Sequence, residues 1–282
     1  MKLRRRIVAA VLLLSVVSAS IAAAAAPQTR PLATDEEQRV YEAFRAWIAA
    51  QPPEVRQADD DAVYRKYAAL LQTRGQSAKD ASSTIELLRA LGDRAEVERW
   101  NRILTAPNPR FNTAPNTFLV DMIKGVRPGR ALDVGMGQGR NSIFLAQQGW
   151  EVVGFDPADR AVAAAQEQAA RLGVTITTRV ARAEDFDWGT AQWDLIVLSY
   201  VGGREFVTNV VRSLRPGGML LVEGFHRDAT KTGPIGGAVV FDTNELLKLY
   251  NALRVIRYED TNGVADFGLE PVRLVRLFAQ KP

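Results

Sequence analysis

Apolar and polar positions along this chain follow three rhythms. From Ile7 to Ala26 no charge interrupts a run of apolar and small residues. From Thr34 to Leu104 apolar residues return every three or four positions, the spacing of one helix face. In "TDEEQRVYEAFRAWIAA" Val40, Phe44, Trp47 and Ile48 keep that spacing, Thr34 stands as the cap, and acids fill the first turn, where a helix favours negative charge. "QPPEV" breaks the pattern. "DDDAVYRKYAALLQTRG" repeats it, with Asp59–Asp61 read as helix-start acids rather than metal ligands. "SAKDASSTIELLRALG" and "DRAEVERWNRIL" predict two further helices, the first ended by Gly92. Thr105 to Asn116 is a Pro- and Asn-rich loop, and "TFLVDMIKGV" one more helix.

Beyond residue 128 short apolar runs alternate with helical patterns. "RALDVG", "EVVGFD", "VTITTRVA", "WDLIVLSY" and "GGMLLVEGFH" read as strands. Between them lie the helices "RNSIFLAQQG", "PADRAVAAAQEQAARLG" with Pro157 at its start, and "REFVTNVVRSL". "DTNELLKLYNAL", capped by Asp242, precedes two closing strands, "RVIRYEDT" and "RLVRLFAQ", which have no helix between them. Alternation of this kind predicts an α/β fold: a doubly wound, mostly parallel seven-stranded sheet with a final antiparallel strand, preceded by a helical segment. The expected division is 1–26, a helical N-terminal segment 27–104, and an α/β domain 105–282.

The front of the chain changes how the charge is read. Of 36 basic residues, Lys2, Arg4, Arg5 and Arg6 stand at the start, leaving 32 against 32 acidic residues, so the body is neutral and no nucleic-acid partner is expected. Lys2–Arg6, the apolar stretch Ile7–Val17 and the small residues "SASIAAAAA" have the three-part form of a secretory signal peptide, cleaved around 20–26. Residues 7–26 are also long enough to remain as a membrane anchor, in which case they are the only membrane contact. Either way the domain is expected outside the cytoplasm, periplasmic or secreted, or held at the membrane. The chain has no cysteine and a single histidine, so disulfides, thiolate metal sites and a cysteine nucleophile are excluded, and no metal site is expected.

The candidate chemistry lies in "ALDVGMGQGRNSIFLAQQGWEVVGFD", Ala131–Asp156. Three glycines follow the first strand, where an α/β sheet binds ligands, and Asp156 ends the second strand, where a carboxylate can take ribose hydroxyls. A glycine turn alone is a weak sign. The spacing here is G-x-G-x-G rather than the G-x-G-x-x-G that aims a helix at a pyrophosphate. Asp133, two residues before the first glycine, repels a pyrophosphate and suits a cation. Both count against a nicotinamide-dependent (NAD(P)) oxidoreductase.

With "LDVGMGQGRN", Asp156, "AEDFDW", "WDLIVLSY" and "LRPGGMLLVE" in order, the chain resembles the class I S-adenosylmethionine-dependent methyltransferases over residues 111–278. "FNTAPNTFLVDMI" and "GRNSIFLAQQGWEV" are more loosely similar to the small-molecule enzymes of the tellurite-resistance and thiopurine type. The resemblance implies S-adenosyl-L-methionine as cofactor. It implies that Gly135, Met136, Gly137, Gly139 and Asn141 line its methionine part, Asp133 orients its ammonium, and Asp156 with Pro157 holds the ribose. Ala183, Glu184 and Asp185 would face the adenine, and Ser199 would close the floor. Met136 stands where the family often has cysteine, a contact made mostly by backbone. Arg182 stands where a polar acceptor often meets the adenine, and an arginine accepts no hydrogen bond. Either Asp185 takes over, or affinity is lower.

The acceptor side follows the same logic. His226, after the fifth strand, is a candidate base, with an idle loop histidine as the plain alternative. Tyr200, after the fourth strand, is a candidate catalytic contact or wall residue. Phe111 and Asn116 are candidate substrate-binding lid residues, or a loop with a helix cap. Trp100, Trp188 and Trp193 read as core, and the basic-apolar alternation of the last two strands as half-solvated surface. Segment 34–104 is expected to pack over the crevice or to form a homodimer. The expected activity is methyl transfer to a small-molecule acceptor, with a non-catalytic binding protein on the same fold as the alternative.

Overall fold

The computed structural model describes residues 34–56, 60–231 and 237–282. The signal or anchor segment 1–26 and the leader after it lie outside the described residues, as does Asp59. No described helix is long and apolar enough to cross a membrane.

The helical segment comprises α1 (Asp35–Ala49), α2 (Pro53–Arg56), α3 (Asp60–Thr73) and α4 (Ala78–Leu104). Thr34 and Glu37 form a reciprocal cap at the start of α1. "QPPEV" does interrupt the pattern, but its second half makes the short helix α2. Asp61 pairs with Arg89 at 2.6 Å. The two helices expected after Gly75 are one. α4 runs unbroken through Gly92, because an isolated glycine weakens a helix by about 1 kcal/mol without ending it. Tyr67, Leu71, Ala81 and Leu88 form a small core here, with Phe44, Trp47 and Tyr64 packed against it.

The α/β part follows the expected alternation: α5 (Thr117–Met122), β1 (Arg130–Val134), α6 (Arg140–Gln147), β2 (Glu151–Asp156), α7 (Asp159–Arg171), β3 (Thr177–Val180), β4 (Trp193–Ser199), α8 (Val207–Ser213) and β5 (Leu214–His226). β6 (Val240–Phe241), α9 (Glu245–Leu249), β7 (Arg254–Val264) and β8 (Pro271–Gln280) complete it. The strand order is β3-β2-β1-β4-β5-β8-β7. β8 lies antiparallel between β5 and β7, and the strands from β3 to β5 are parallel. The sheet has eight strands rather than seven, because the two-residue β6 attaches to the end of β5 at Phe225 and His226. The order reverses between β1 and β4, which opens a crevice at their carboxyl ends.

Two local expectations change. Asp242 does not cap α9. Asn244 occupies the N-cap position, left-handed and without a side-chain cap bond, while the Asp242 carboxylate pairs with Arg227. The half-solvated reading holds for β7, the edge strand, but not for β8, which is covered on both flanks and mostly buried. Trp188 and Trp193 are core, whereas Trp100 is half-buried, edge-on to Phe267 at 6.1 Å.

Candidate functional site

The crevice begins with the turn between β1 and α6. Gly135, Gly137 and Gly139 all have positive φ (64°, 53° and 80°). At Gly139 any Cβ would lie 2.8 Å from the Ala165 side chain, so α6 can start this close to α7 only from glycine. The Met136 amide donates to Phe155 O, and its side chain tucks against Gly154. The turn therefore presents backbone, as expected.

Asp156 ends β2 with its carboxylate buried. Oδ2 accepts from the Gly137 amide at 2.9 Å and Oδ1 from the Ala158 amide at 2.8 Å. Burial raises its pKa, opposed by those two amides. Each oxygen keeps a second lone pair, the acceptor set that a pair of ribose hydroxyls requires. Asp133, on β1, is 2% exposed and accepts from Ser142 Oγ at 2.6 Å. Burial pushes its carboxyl up to about 6, against the downward pull of Ser142 and Arg140. A buried acid with one strong partner suits an incoming cation. Ala183 is half-buried, while Glu184 and Asp185 are exposed on the following turn. Arg182 does not wait for an adenine: it pairs with Asp93 of α4 at 3.1 Å and approaches Glu184 at 3.8 Å. Pro157 is half-buried beside Ala158.

At the ends of β4 and β5 lies a buried polar network that sequence reading missed. Glu223, 1% exposed, accepts from Tyr200 Oη at 2.6 Å, Asn116 Nδ2 at 3.1 Å and Arg276 Nε at 3.0 Å. Asp266, on the β7–β8 connection, accepts from Asn116 Nδ2 at 2.7 Å and Asn112 Nδ2 at 2.9 Å, and pairs with Arg140 at 2.7 Å. Arg140 also donates to Ala114 O and, at 3.4 Å, to Ser199 Oγ. The available signal was a charge inside an apolar strand: Glu223 in "LLVEGF" and Arg276 in "RLVRLF" are paired in register.

This network bears on several of the expected roles, favouring the plainer of the alternatives weighed for each. Tyr200 adopts φ +60°, and its hydroxyl donates to Glu223 while accepting the Asp266 amide at 3.2 Å. Burial and the neighbouring Glu223 push its pKa further up, so the phenol stays protonated across the neutral range. His226 is also tied. Nδ1 faces the Asp228 amide at 3.0 Å and the Asp228 carboxylate at 3.2 Å, and Nε2 lies 2.9 Å from Thr243 Oγ. Both ring nitrogens are engaged by the segment after β5. Asn116 is a cap: Oδ1 accepts from the Leu119 amide, and both Nδ2 hydrogens go to carboxylates. Asn141 binds the Asn116 amide at 2.9 Å, which ties α6 to this cap rather than offering a free carboxamide. Phe111 is buried in a bridge to Phe267. With Tyr200 and Phe225, these rings make an aromatic wall beside the network.

The strand order, the switch-point crevice and the two acids define a Rossmann-like methyltransferase fold. Residues 131–218 match the family described as a methyltransferase domain. The chain is 27% identical over 181 residues to hemagglutinin 1 of Eikenella corrodens (60% of this chain, 60% of the relative). It is 27% identical over 164 residues to a probable S-adenosyl-L-methionine-dependent methyltransferase, TehB, of Haemophilus influenzae (55% and 56%). It thus spans roughly 60% of the length of these curated relatives. The N-methyltransferase NodS of Bradyrhizobium japonicum, solved with S-adenosyl-L-homocysteine, shares the fold at 19% identity and TM-score 0.53 (66% of this chain, 98% of that one). The chain carries a class I S-adenosylmethionine-dependent methyltransferase domain similar to that of the TehB proteins. S-adenosylmethionine is the cofactor of such domains, and the acids and glycine turn described above fit it.

Proposed function

We propose that this chain methylates a small-molecule acceptor. The observation that carries the reading is the joint placement of the glycine turn, the buried Asp133 and the doubly hydrogen-bonded Asp156 at the switch point. S-adenosylmethionine, when bound, supplies a sulfonium methyl that is already activated.

The chain's own residues then have four tasks. Asp156 takes the ribose hydroxyls and the Gly135–Gly139 backbone lines the methionine arm. Asp133 faces the ammonium, and Ala183 to Asp185 border the adenine. The rings of Phe111, Tyr200, Phe225 and Phe267, packed together at the ends of β4 and β5, would form a dry wall on the acceptor side. Tyr200 and His226 are already engaged, so the reading favours an acceptor that brings its own nucleophile, such as a thiolate or other soft anion, or an acidic hydroxyl. The three-part front of the chain supports an exported or membrane-tethered enzyme.

Calorimetric titration of the purified chain with S-adenosylhomocysteine tests the reading. Saturable binding that is lost in Asp156→Ala supports it, and a radiolabelled methyl-transfer screen then separates enzyme from binding protein. No binding by the unmodified chain sinks it.

A further inference from the structure

Several of the cofactor residues are covered. Asp156 is 7% exposed, Met136 5% and Ser199 8%, and Gly137 is buried. The second half of α4 packs on the rim of this crevice, over Gly137 and the start of α7. At one end Asp93 pairs with Arg182, next to the adenine-side turn. In the middle Glu98 pairs with Arg160 at 2.7 Å, and Asn101 holds the start of α7 through Asp159 Oδ1 at 2.7 Å and the Arg160 amide at 3.0 Å. At the other end Leu104 packs over Gly137. From Asp93 to Leu104 an α-helix spans about 16 Å, so the cover reaches from adenine side to methionine side.

The first half of α4 has different loyalties. Ala81 and Leu88 belong to the aromatic core of the helical segment. Gly92 separates the two halves, the one interior position of α4 with no side chain to restrict the backbone. The second half is held by two half-exposed ion pairs, each worth about 0–1 kcal/mol, by Arg94 paired to Glu37 of α1, by the buried Asn101 and by Trp100 against Phe267. Below its end, Leu104, Thr105 and Ala106 border a cavity of about 510 Å³ between α6 and α7, which leaves that end unsupported on one side.

We propose that Asp93–Leu104 is a lid over the cofactor crevice, hinged at Gly92, and that it must lift for cofactor to enter or leave. This rests on the cofactor reading given above. The latches differ from the cofactor contacts, so lid and site can be separated by mutation. Gly92→Ala stiffens the hinge without a clash, since a Cβ there would sit 3.7 Å from the Tyr64 hydroxyl. Glu98→Gln loosens a latch.

The test uses the full chain. The absence of cysteine allows Glu98→Cys with Arg160→Cys to be bridged by a reducible bis-methanethiosulfonate. Stopped-flow tryptophan fluorescence then follows S-adenosylhomocysteine binding. The expected result is association slowed about tenfold or more in the bridged chain and restored by reductant, slower exchange in Gly92→Ala, and faster exchange in Glu98→Gln. Unchanged association in the bridged chain overturns the lid. Hydrogen exchange of the free chain reads the hinge without ligand. Amides of 93–104 are expected to exchange faster than those of 81–91, and faster still in Glu98→Gln, while equal protection on both sides of Gly92 also overturns it. If the unmodified chain binds no S-adenosylhomocysteine, the cofactor reading fails instead, and the exchange experiment still decides the lid.

Discussion

Arg140, at the start of α6, and Asp266, on the connection between β7 and β8, meet at 2.7 Å with both side chains about nine-tenths buried. The pair ties the helix that follows the glycine turn to the last hairpin of the sheet, and Asn116 extends the tie to the start of α5. A buried ion pair is costly to half-remove, since the surviving charge loses its partner without regaining water. Arg140→Met is therefore expected to destabilise the chain by about 3–5 kcal/mol, read as a lower urea midpoint. A loss under about 1 kcal/mol would mean the pair is solvated in solution.

Asp133 predicts a pH dependence. Its carboxyl lies at about 6 in the folded chain, above the ordinary 3.8. A raised value means the group's contribution is fully present below 3.8 and is lost as pH rises through about 6. The ionised form costs about 3 kcal/mol at neutral pH. Asp133→Asn is expected to remove that part of the stability loss. A cofactor ammonium favours the ionised form, so binding of S-adenosylhomocysteine should tighten from pH 5 to 7 with release of a proton. Titration heats that do not depend on the buffer's ionisation enthalpy would sink this assignment.

The Asp156 carboxylate serves the fold as well as the ligand. Removing it in Asp156→Ala strands the Gly137 and Ala158 amides. Melting is expected at a stability lower by about 1–3 kcal/mol, together with loss of measurable S-adenosylhomocysteine binding. Asp156→Asn can still accept hydrogen bonds from both amides only through one oxygen, so an intermediate result on both readouts is expected.

Tyr200→Phe tests whether the phenol belongs to the chemistry. The hydroxyl bridges Glu223 and the Asp266 amide, and its removal leaves a buried donor and acceptor short of a partner. A stability loss of about 1–3 kcal/mol is expected. The pH–rate profile should keep its shape, because the phenol stays protonated across the neutral range. Loss of an alkaline limb in the variant would restore Tyr200 as a catalytic group.

His226→Gln should behave similarly on the other side of β5. The loss of its bonds to Thr243 and the Asp228 amide loosens the segment after β5. Turnover with any acceptor found should change by less than about tenfold, as general-base loss typically costs more. A hundredfold drop, rescued by small imidazoles, would reinstate it as the base.

The alternation of strands and helices and the glycine turn were legible because both depend on local signals. Alternation of strand and helix patterns marks parallel winding, and glycines beside a strand end mark a close approach of backbone. The acceptor side was not legible because its bonds join residues remote in sequence. Nothing near Glu223 announces Tyr200, Asn116 and Arg276 as partners. Arg276 read as solvated because alternation describes a strand's two faces and says nothing of whether β8 or β7 holds the edge. Gly92 read as a helix end because propensity is local, whereas Ala81 and Leu88 on one side and Asn101 and Leu104 on the other are held by tertiary packing.

α4 belongs to two cores at once, the aromatic one it shares with α1 and α3 and the crevice at its far end. With the lid closed and the helix continuous across Gly92, a shared rod of this kind links their thermodynamics. Whatever stabilises one end lowers the free energy of the ordered rod as a whole, and with it the other end. The helical segment is thus a stabilising ballast for the cofactor site, and occupancy of that site would raise the melting temperature of helices that never touch the ligand.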